Sequence, residues 1–403
     1  MAFSTAISGI NAAQSDLDVI SNNIANASTV GFKASRTQFA EIYANSLLGS
    51  GSGNAGQGVE LTEIRTEFSQ GNLEFTNNGL DLAISGNGFF VVSNDGAAEY
   101  TRAGAFRVDR EGFLTNEQGS RLQGYQVSSE GAITGELGDL FIDTTLVNPN
   151  PTSTVTLISN LDSREAPPTV TPFAATDPNT YNSTTSTTVF DELGNSHVLQ
   201  LYYVKSAANT WDIYSTVDGG TPTGPTAVTF NPDGSLATGG TLSITVASAD
   251  LGTGAGDLTF DVDNTQTTQF GTDFAVSSIV QDGFGAGQLI SFDFDESGIA
   301  FARYTNGQSR AIGQVALANF RNNNGLQPIG NTNYVETFSS GSANVGEPGT
   351  AGRGVIQASA VEQANVEITQ ELVNLIVAQR NFQANAQVIS TEDQVTQAVI
   401  NLR

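Results

Sequence analysis

The segment from Ser359 to Arg403 constrains the fold more than any other, because it reads as one long helix whose partner must come from elsewhere in the chain. Ser359-Ala-Val-Glu362 has the spacing of a capping box, in which a serine hydroxyl and a glutamate carboxylate satisfy the amides that a first helical turn leaves unpaired. The helix is therefore expected to start at Ser359. Ile368, Leu372, Leu375, Phe382, Ala386 and Ile389 follow at steps of four, three and seven, and Val395, Val399 and Leu402 resume the stripe after a slip of about one residue. No Pro or Gly interrupts it. At about 1.5 Å per residue this is a rod of roughly 65 Å with one narrow apolar seam, which needs another helix to cover it.

The first residues supply a candidate. Phe3, Ile7, Ile10, Gln14, Leu17, Ser21 and Ile24 follow heptad steps, with Gln14 and Ser21 as polar interruptions, so the two chain ends are expected to pair. The flanks of the C-terminal segment carry amides such as Gln363, Asn374, Gln379, Asn381 and Gln387 in place of the usual Glu and Lys. Such a surface suits repeated contact with neighbouring subunits. The plainer alternative is an amphipathic helix that covers only its own domain.

Ser21-Asn-Asn-Ile-Ala-Asn26, followed by Thr29-Val-Gly-Phe-Lys33, resembles the N-terminal signature of the bacterial flagellar axial family of rod, hook and hook-associated proteins. Its marker residues here are Asn22, Asn23, Asn26, Thr29, Gly31, Phe32 and Lys33. Glu371-Leu-Val-Asn-Leu-Ile-Val-Ala-Gln-Arg-Asn-Phe-Gln-Ala-Asn-Ala-Gln387 is similar to the matching C-terminal signature, with Gln379, Arg380 and Asn381 at its centre. Within the family, the length, Gly88-Phe-Phe, Tyr100-Thr-Arg and a large inserted middle are most similar to the hook branch. The resemblance implies a structural subunit that polymerises with copies of itself into the curved joint transmitting torque from rod to filament. It also implies contact with the distal rod protein, the hook cap, the hook-filament junction protein and the hook-length control protein. It further implies passage through the flagellar type III export apparatus without a cleaved signal peptide, to an extracellular place in the hook and basal body.

Composition sets bounds that agree with this. With 403 residues, 38% of them hydrophobic, the chain can bury a substantial core in two or three domains, and 43 Gly with 23 Phe point to turn-rich β structure. Nothing resembles a membrane span of some 18 apolar residues, so no membrane insertion is expected. The absence of Cys excludes disulfides, thiol catalysis and thiolate metal sites. A net charge of −26 with only 15 basic residues argues against nucleic acid and predicts salt-sensitive assembly.

Along the chain, residues 1–30 are expected to form the N-terminal helix, with Gly31 as its stop. Residues 31–70 form a connecting region in which Phe32 to Leu48 has mixed helical character, a Gly-rich loop occupies 49–58 and Val59–Arg65 reads as strand. From Leu80 the apolar alternation becomes two-residue, with turn signals at Asn87-Gly88, Asp95-Gly96 and Arg110-Glu-Gly112. The same texture returns at Ile290, Phe292 and Phe294, so residues 71–147 and 285–345 are expected to make one discontinuous inner β-domain. Residues 148–284, bounded by Asn148-Pro-Asn-Pro151 and Asp282-Gly-Phe-Gly-Ala-Gly287, make an inserted outer β-domain. A connector at 346–358 and the helix at 359–403 complete a mainly β chain: two nested antiparallel β-domains plus a coiled-coil-like terminal domain formed by both ends.

Candidate chemistry is sparse. Gly51, Gly53 and Gly56 match G-x-G-x-x-G, but no strand precedes them and a strand-like run follows, so a flexible loop is expected. His197, the only histidine, is expected at the surface. Asp293-Phe-Asp-Glu-Ser-Gly298 imitates the start of a calcium loop, yet position twelve is Tyr304 and the alternation of Phe292 and Phe294 favours a hairpin. Asp261 and Asp263 share a strand face without a surrounding cleft signature, and Phe89-Phe90 and Tyr202-Tyr203 read as core. No catalytic, cofactor or metal residue is assigned and no enzyme is expected. Alternatives that stay open are another axial subunit, distal rod or hook-associated, and an acidic β-rich adhesin or glycan-binding module with a helical stalk.

Overall fold

The computed structural model describes residues 2–42, 58–128 and 131–401. The glycines at 51, 53 and 56, Leu402 and the side chain of Val399 lie outside the described residues. The chain divides into two units, one of Met1–Asp143, Ser291–Arg303 and Ser309–Arg403, the other of Thr144–Ile290 and Tyr304–Gln308.

In the first unit the N-terminal helix spans Ala2–Ala25, shorter than the expected 1–30. It ends where Asn22, Asn26 and Thr29 exchange side-chain and backbone hydrogen bonds, a turn chemistry that competes with further helix. Gly31 is not the stop but a later turn residue at φ +70. The expected helical character beyond it is also corrected. Ser35–Glu41 is a strand that pairs antiparallel with Val59–Thr66, with a bulge between Gln38 and Phe39. Strand pairing overrides the weak local helix propensity of this segment.

The early and late β texture interleave. Ser309–Val315 pairs with Arg121–Val127, Leu317–Asn319 pairs with Phe89–Asn94, and Asn333–Val335 pairs with Ala97–Thr101, all antiparallel. Phe89, Val91, Tyr100, Ala318, Leu326 and Tyr334 form the buried cluster between them.

The start of the C-terminal helix is the main correction. Val355–Ala358 pairs with Leu82–Ser85 and Ala360–Glu362 pairs with Leu73–Phe75, so 346–358 is no mere connector, and the helix spans Ile368–Asn401. Ser359 has φ +53, far from the extended conformation of an N-cap. The Glu362 carboxylate faces two buried cations instead of a helix amide. The capping-box spacing is coincidental, and the 34-residue helix is about 50 Å long.

The second unit contains two five-stranded sheets. In one, Ser183–Phe190, Ser196–Ala207, Thr210–Val217, Thr223–Phe230 and Leu236–Thr238 form a meander. In the other, Thr154–Asp162 lies parallel to Leu258–Asp263 and to Thr268–Phe270 and antiparallel to Ala275–Gln281. That sheet is mixed, because the chain leaves after Thr154–Asp162, builds the meander, and returns to run beside its own entry strand. Val155, Leu157, Leu199, Leu201, Tyr203, Trp211 and Phe260 belong to one buried cluster.

Candidate assembly surface

The two terminal helices pack on each other and run antiparallel: Gly9 lies against the Asn385 side chain, while Asp16, Val19, Ile20 and Asn23 share a cleft with Glu371, Asn374 and Val377. A Cβ on Gly9 would stand 2.7 Å from the Asn385 side chain, so the absence of one permits the approach. Half of the buried positions described on this pair are alanines. Ala6, Ala13 and Ile20, seven apart, are buried on the N-terminal helix, and Ala378 is 1% exposed on the other. A reading of large apolar residues passes over such a face, although the Ala-Gly-Ala spacing of positions 6, 9 and 13 carried the signal.

The expected apolar stripes lie beside this contact. On the N-terminal helix Ile10, Leu17 and Ile24 are half-buried, whereas Phe3 and Ile7 are exposed. One residue of offset turns a helix by about 100°; the stripe therefore flanks the buried face instead of forming it. On the C-terminal helix Leu375, Phe382, Ala386 and Ile389 are half-buried, while Ile368, Leu372 and Val395 are exposed. Val373, Ile376, Val377, Val388 and Ile400 are exposed as well. The helix thus carries apolar residues around most of its circumference rather than along a single seam. A helix of that kind is ordinarily buried, and half-covered aliphatic side chains of this size each leave about 1 kcal/mol of burial unrealised.

The signature residues anchor this surface. Asn23 is buried and bonds the backbone of Ser35 twice, donating to its carbonyl at 2.8 Å and accepting from its amide at 3.0 Å. Lys33 donates to Glu362 Oε1 at 2.6 Å and to the Ser69 carbonyl at 2.7 Å. Glu362 Oε1 also accepts from the Gly71 amide at 2.8 Å, and Oε2 accepts from Arg102 Nη1 at 3.1 Å. Its backbone carbonyl accepts from the Gly31 amide at 2.7 Å. One buried carboxylate therefore joins segments near residues 33, 71 and 102 just before the C-terminal helix begins. Asn365 extends the junction, accepting from the Ala34 amide and donating to Glu67 and Ser69. Burial pushes the Lys33 and Arg102 pKa values down, against the opposing pull of Glu362. Phe32 is half-buried, and Gln379, Arg380 and Asn381 are exposed on the C-terminal helix.

The remaining sequence candidates resolve as structural parts, with one correction. His197 is not at the surface: it is 3% exposed, with Nδ1 2.7 Å from Asp218 Oδ2 and Nε2 3.4 Å from Asp191 Oδ2. Asp191 folds the turn over it, accepting from the Leu193 and Asn195 amides and from Thr253. Asp293 pairs with Arg303 at 2.6 Å and Asp295 accepts from the Ile299 amide, so this segment is a hairpin turn. Asp261 accepts from Ser243, and Asp263 from the Thr265 amide. Among the described residues no group of three or more His, Cys, Asp or Glu could hold a metal ion, and no helix is long and apolar enough to cross a membrane.

Four family descriptions match the chain in order: "Flagella basal body rod protein" over residues 3–33, "Flagellar hook protein FlgE/F/G D1 domain" over 83–156, "Flagellar basal body protein FlaE D2 domain" over 160–284, and "Flagellar basal body rod FlgEFG protein C-terminal" over 357–402. The flagellar hook protein FlgE of Escherichia coli strain K12 is 39% identical over 417 residues, covering 100% of both chains. That of Salmonella typhimurium strain LT2 is 38% identical with the same coverage. That of Borreliella burgdorferi is 33% identical, covering 99% of this chain and 98% of the relative. Among solved structures, the flagellar hook protein FlgE2 of Helicobacter pylori matches with a TM-score of 0.55 at 15% identity, over 72% of this chain and 100% of that one, a likeness of fold.

Proposed function

Because the chain belongs to the flagellar hook protein family, we propose that it is a non-enzymatic structural subunit whose copies polymerise into the flagellar hook through their terminal helices. The observation that carries this reading is the exposed apolar circumference of the helix Ile368–Asn401, continued on the N-terminal helix by Phe3 and Ile7. Two helices cannot cover that surface by themselves, whereas the helices of neighbouring copies in a tube can. The polymerisation seam takes in Phe3, Ile7, Ile10, Leu17 and Ile24 on one helix and the stripe from Ile368 to Val395 on the other.

The β-rich parts have a second role in this reading. The discontinuous inner β-domain and the inserted domain supply polar contacts between copies that slide as the tube bends. The subunit then serves as a flexible joint between rod and filament. Contacts with the distal rod protein, the hook cap, the hook-filament junction protein and the hook-length control protein belong to the same reading, as does export without a cleaved signal peptide. Electron microscopy of the purified full-length chain tests it: tubular polymers are expected, and none from a chain lacking residues 368–403. Glycan binding that survives deletion of both terminal helices would favour the adhesin alternative instead.

A further inference from the structure

Arg36 and Arg65 are direct cross-strand partners on the hairpin of Ser35–Glu41 and Val59–Thr66. Like charges directly opposite in an antiparallel pair are destabilising, with Cβ atoms only about 5 Å apart. Arg321 adds a third guanidinium: all three line one open groove of about 560 Å³. The chain as a whole holds 41 acidic and 15 basic residues, yet among the lining residues Glu67 is the single acid against three arginines. Glu67 approaches Arg36 at 3.5 Å with side chains 45% and 71% exposed, a geometry that neutralises little. Among the described residues no carboxylate pairs with Arg65 or Arg321.

The groove is also held in shape. With the Asn324 amide turned so that its oxygen faces Arg65, it accepts from Arg65 Nε at 3.2 Å and Nη2 at 2.7 Å, while its nitrogen donates to the Thr66 carbonyl at 3.0 Å. That orients the guanidinium without cancelling its charge. Phe68 and Phe320 form an aromatic floor, packed edge-on against Phe89 and Tyr100 at centroid distances of 5.5 and 4.8 Å. Planar, oriented guanidinium groups over an apolar floor match carboxylate oxygens better than any neutral ligand.

We propose that this arginine groove docks carboxylates of a second copy of the chain and is one of the contacts that hold subunits together. The inference rests on the reading that copies polymerise. Each copy carries a charge of −26, so bringing copies together is unfavourable unless local reversals of sign are matched to the prevailing acidic surface. The same chemistry would accept a free phosphate, and the experiment separates the two sources.

Assembly of the full-length chain is followed by light scattering and electron microscopy for the wild type, the double variant Arg65→Gln with Arg321→Gln, and the control Arg110→Gln, an exposed arginine outside the groove. At about 50 mM salt the double variant should need roughly tenfold more protein to assemble and the control the same amount as wild type, and the difference should vanish near 0.5 M salt. The monomer of the double variant should unfold at the same midpoint as wild type or higher, because a repulsive pair has been relieved; a purely structural role would lower it. In polymers of Arg321→Lys, carbodiimide should join the new amine to an Asp or Glu of a differently isotope-labelled copy. A double variant that assembles with the wild-type concentration and salt profile overturns the proposal. So does a link confined to one copy, or assembly that requires inorganic phosphate at matched ionic strength. Failure of the wild type to polymerise at all would instead remove the functional reading, and this inference with it.

Discussion

Lys33 and Glu362 stand 329 residues apart in the sequence and 2.6 Å apart in space, with neither side chain exposed. Arg102 completes the arrangement on the second oxygen of the same carboxylate. The chain ends are thus tied by a charge cluster as well as by the packing of their helices, and the C-terminal helix leaves from a fixed point.

Glu362→Gln preserves shape but strands two buried cations, so it should destabilise the first unit by about 3–5 kcal/mol. Lys33→Met should cost less, because Arg102 and the Gly71 amide still serve the carboxylate. Urea unfolding of the full-length monomer measures both. Equal midpoints for Glu362→Gln and wild type would remove the cluster from any account of stability.

Leu372 is 46% exposed and Ala378 is 1% exposed on the same helix. Leu372→Asp should therefore change monomer stability by no more than about 0.5 kcal/mol while abolishing assembly. Ala378→Leu overpacks the helix pair and should cost about 1–3 kcal/mol in the monomer itself. Thermal unfolding by circular dichroism, read beside sedimentation of polymers, distinguishes the two. Normal polymers from Leu372→Asp would count against the apolar circumference as the assembly surface.

Gly31 has φ +70, and a Cβ there would meet the Ala103 backbone nitrogen at 2.3 Å. Gly31→Ala should cost more than about 2 kcal/mol, since strain and clash add. Gly96, at φ +89 with nothing within 4 Å of its added Cβ, supplies the comparison, and Gly96→Ala should cost only about 1 kcal/mol. Chemical unfolding midpoints that rank the two variants the other way would contradict the close approach.

Burial alone would push the His197 imidazole down, but hydrogen bonds to Asp218 and Asp191 and their charges hold its pKa above the ordinary 6.5. A folded-state value above the unfolded one means that the folded chain binds the proton more tightly. The contribution is fully present below 6.5 and is lost as pH rises through the folded-state pKa. Asp191 and Asp218 are held below the usual carboxylate value of 3.8, despite burial, by the hydrogen bonds they accept, so their contribution is lost as pH falls through their lowered values. Trp211, buried in the same cluster as Leu199, reports unfolding of this unit. Its midpoint should fall with rising pH above 6.5 in the wild type and stay flat in His197→Asn. A flat profile in both would show that the imidazole stays neutral.

The fold class was legible because it rests on local periodicity. Leu199, Leu201 and Tyr203 are buried at alternate positions of Ser196–Ala207, and Phe89 and Phe90 are core, as aromatic residues in strands generally are. The capping box at Ser359 and the surface reading of His197 failed for one reason. The first gave Glu362 to a neighbouring helix turn when its partners are Lys33 and Arg102, and the second gave His197 to solvent when Asp218 and Asp191 enclose it, so each missed partners that only the folded chain brings up.

By itself the sequence determined that both ends are helical, that they pair, and that the region from Leu80 to the inserted domain is mainly strand and turn, because 3.6- and 2-residue periods are written into the order of side chains. Tertiary structure decided which face of each helix is covered. The packed face combines Ile20 with Ala6, Gly9, Ala13 and Ala378, small residues whose value lies in close approach and not in hydrophobic size. Only the folded chain could show that Glu362 belongs with Lys33 and Arg102, or that Arg36 and Arg65 stand opposed beside Arg321. Burial and charge compensation are sums over neighbours in space, and a linear order of residues does not contain them until strand register and chain return have set the distances.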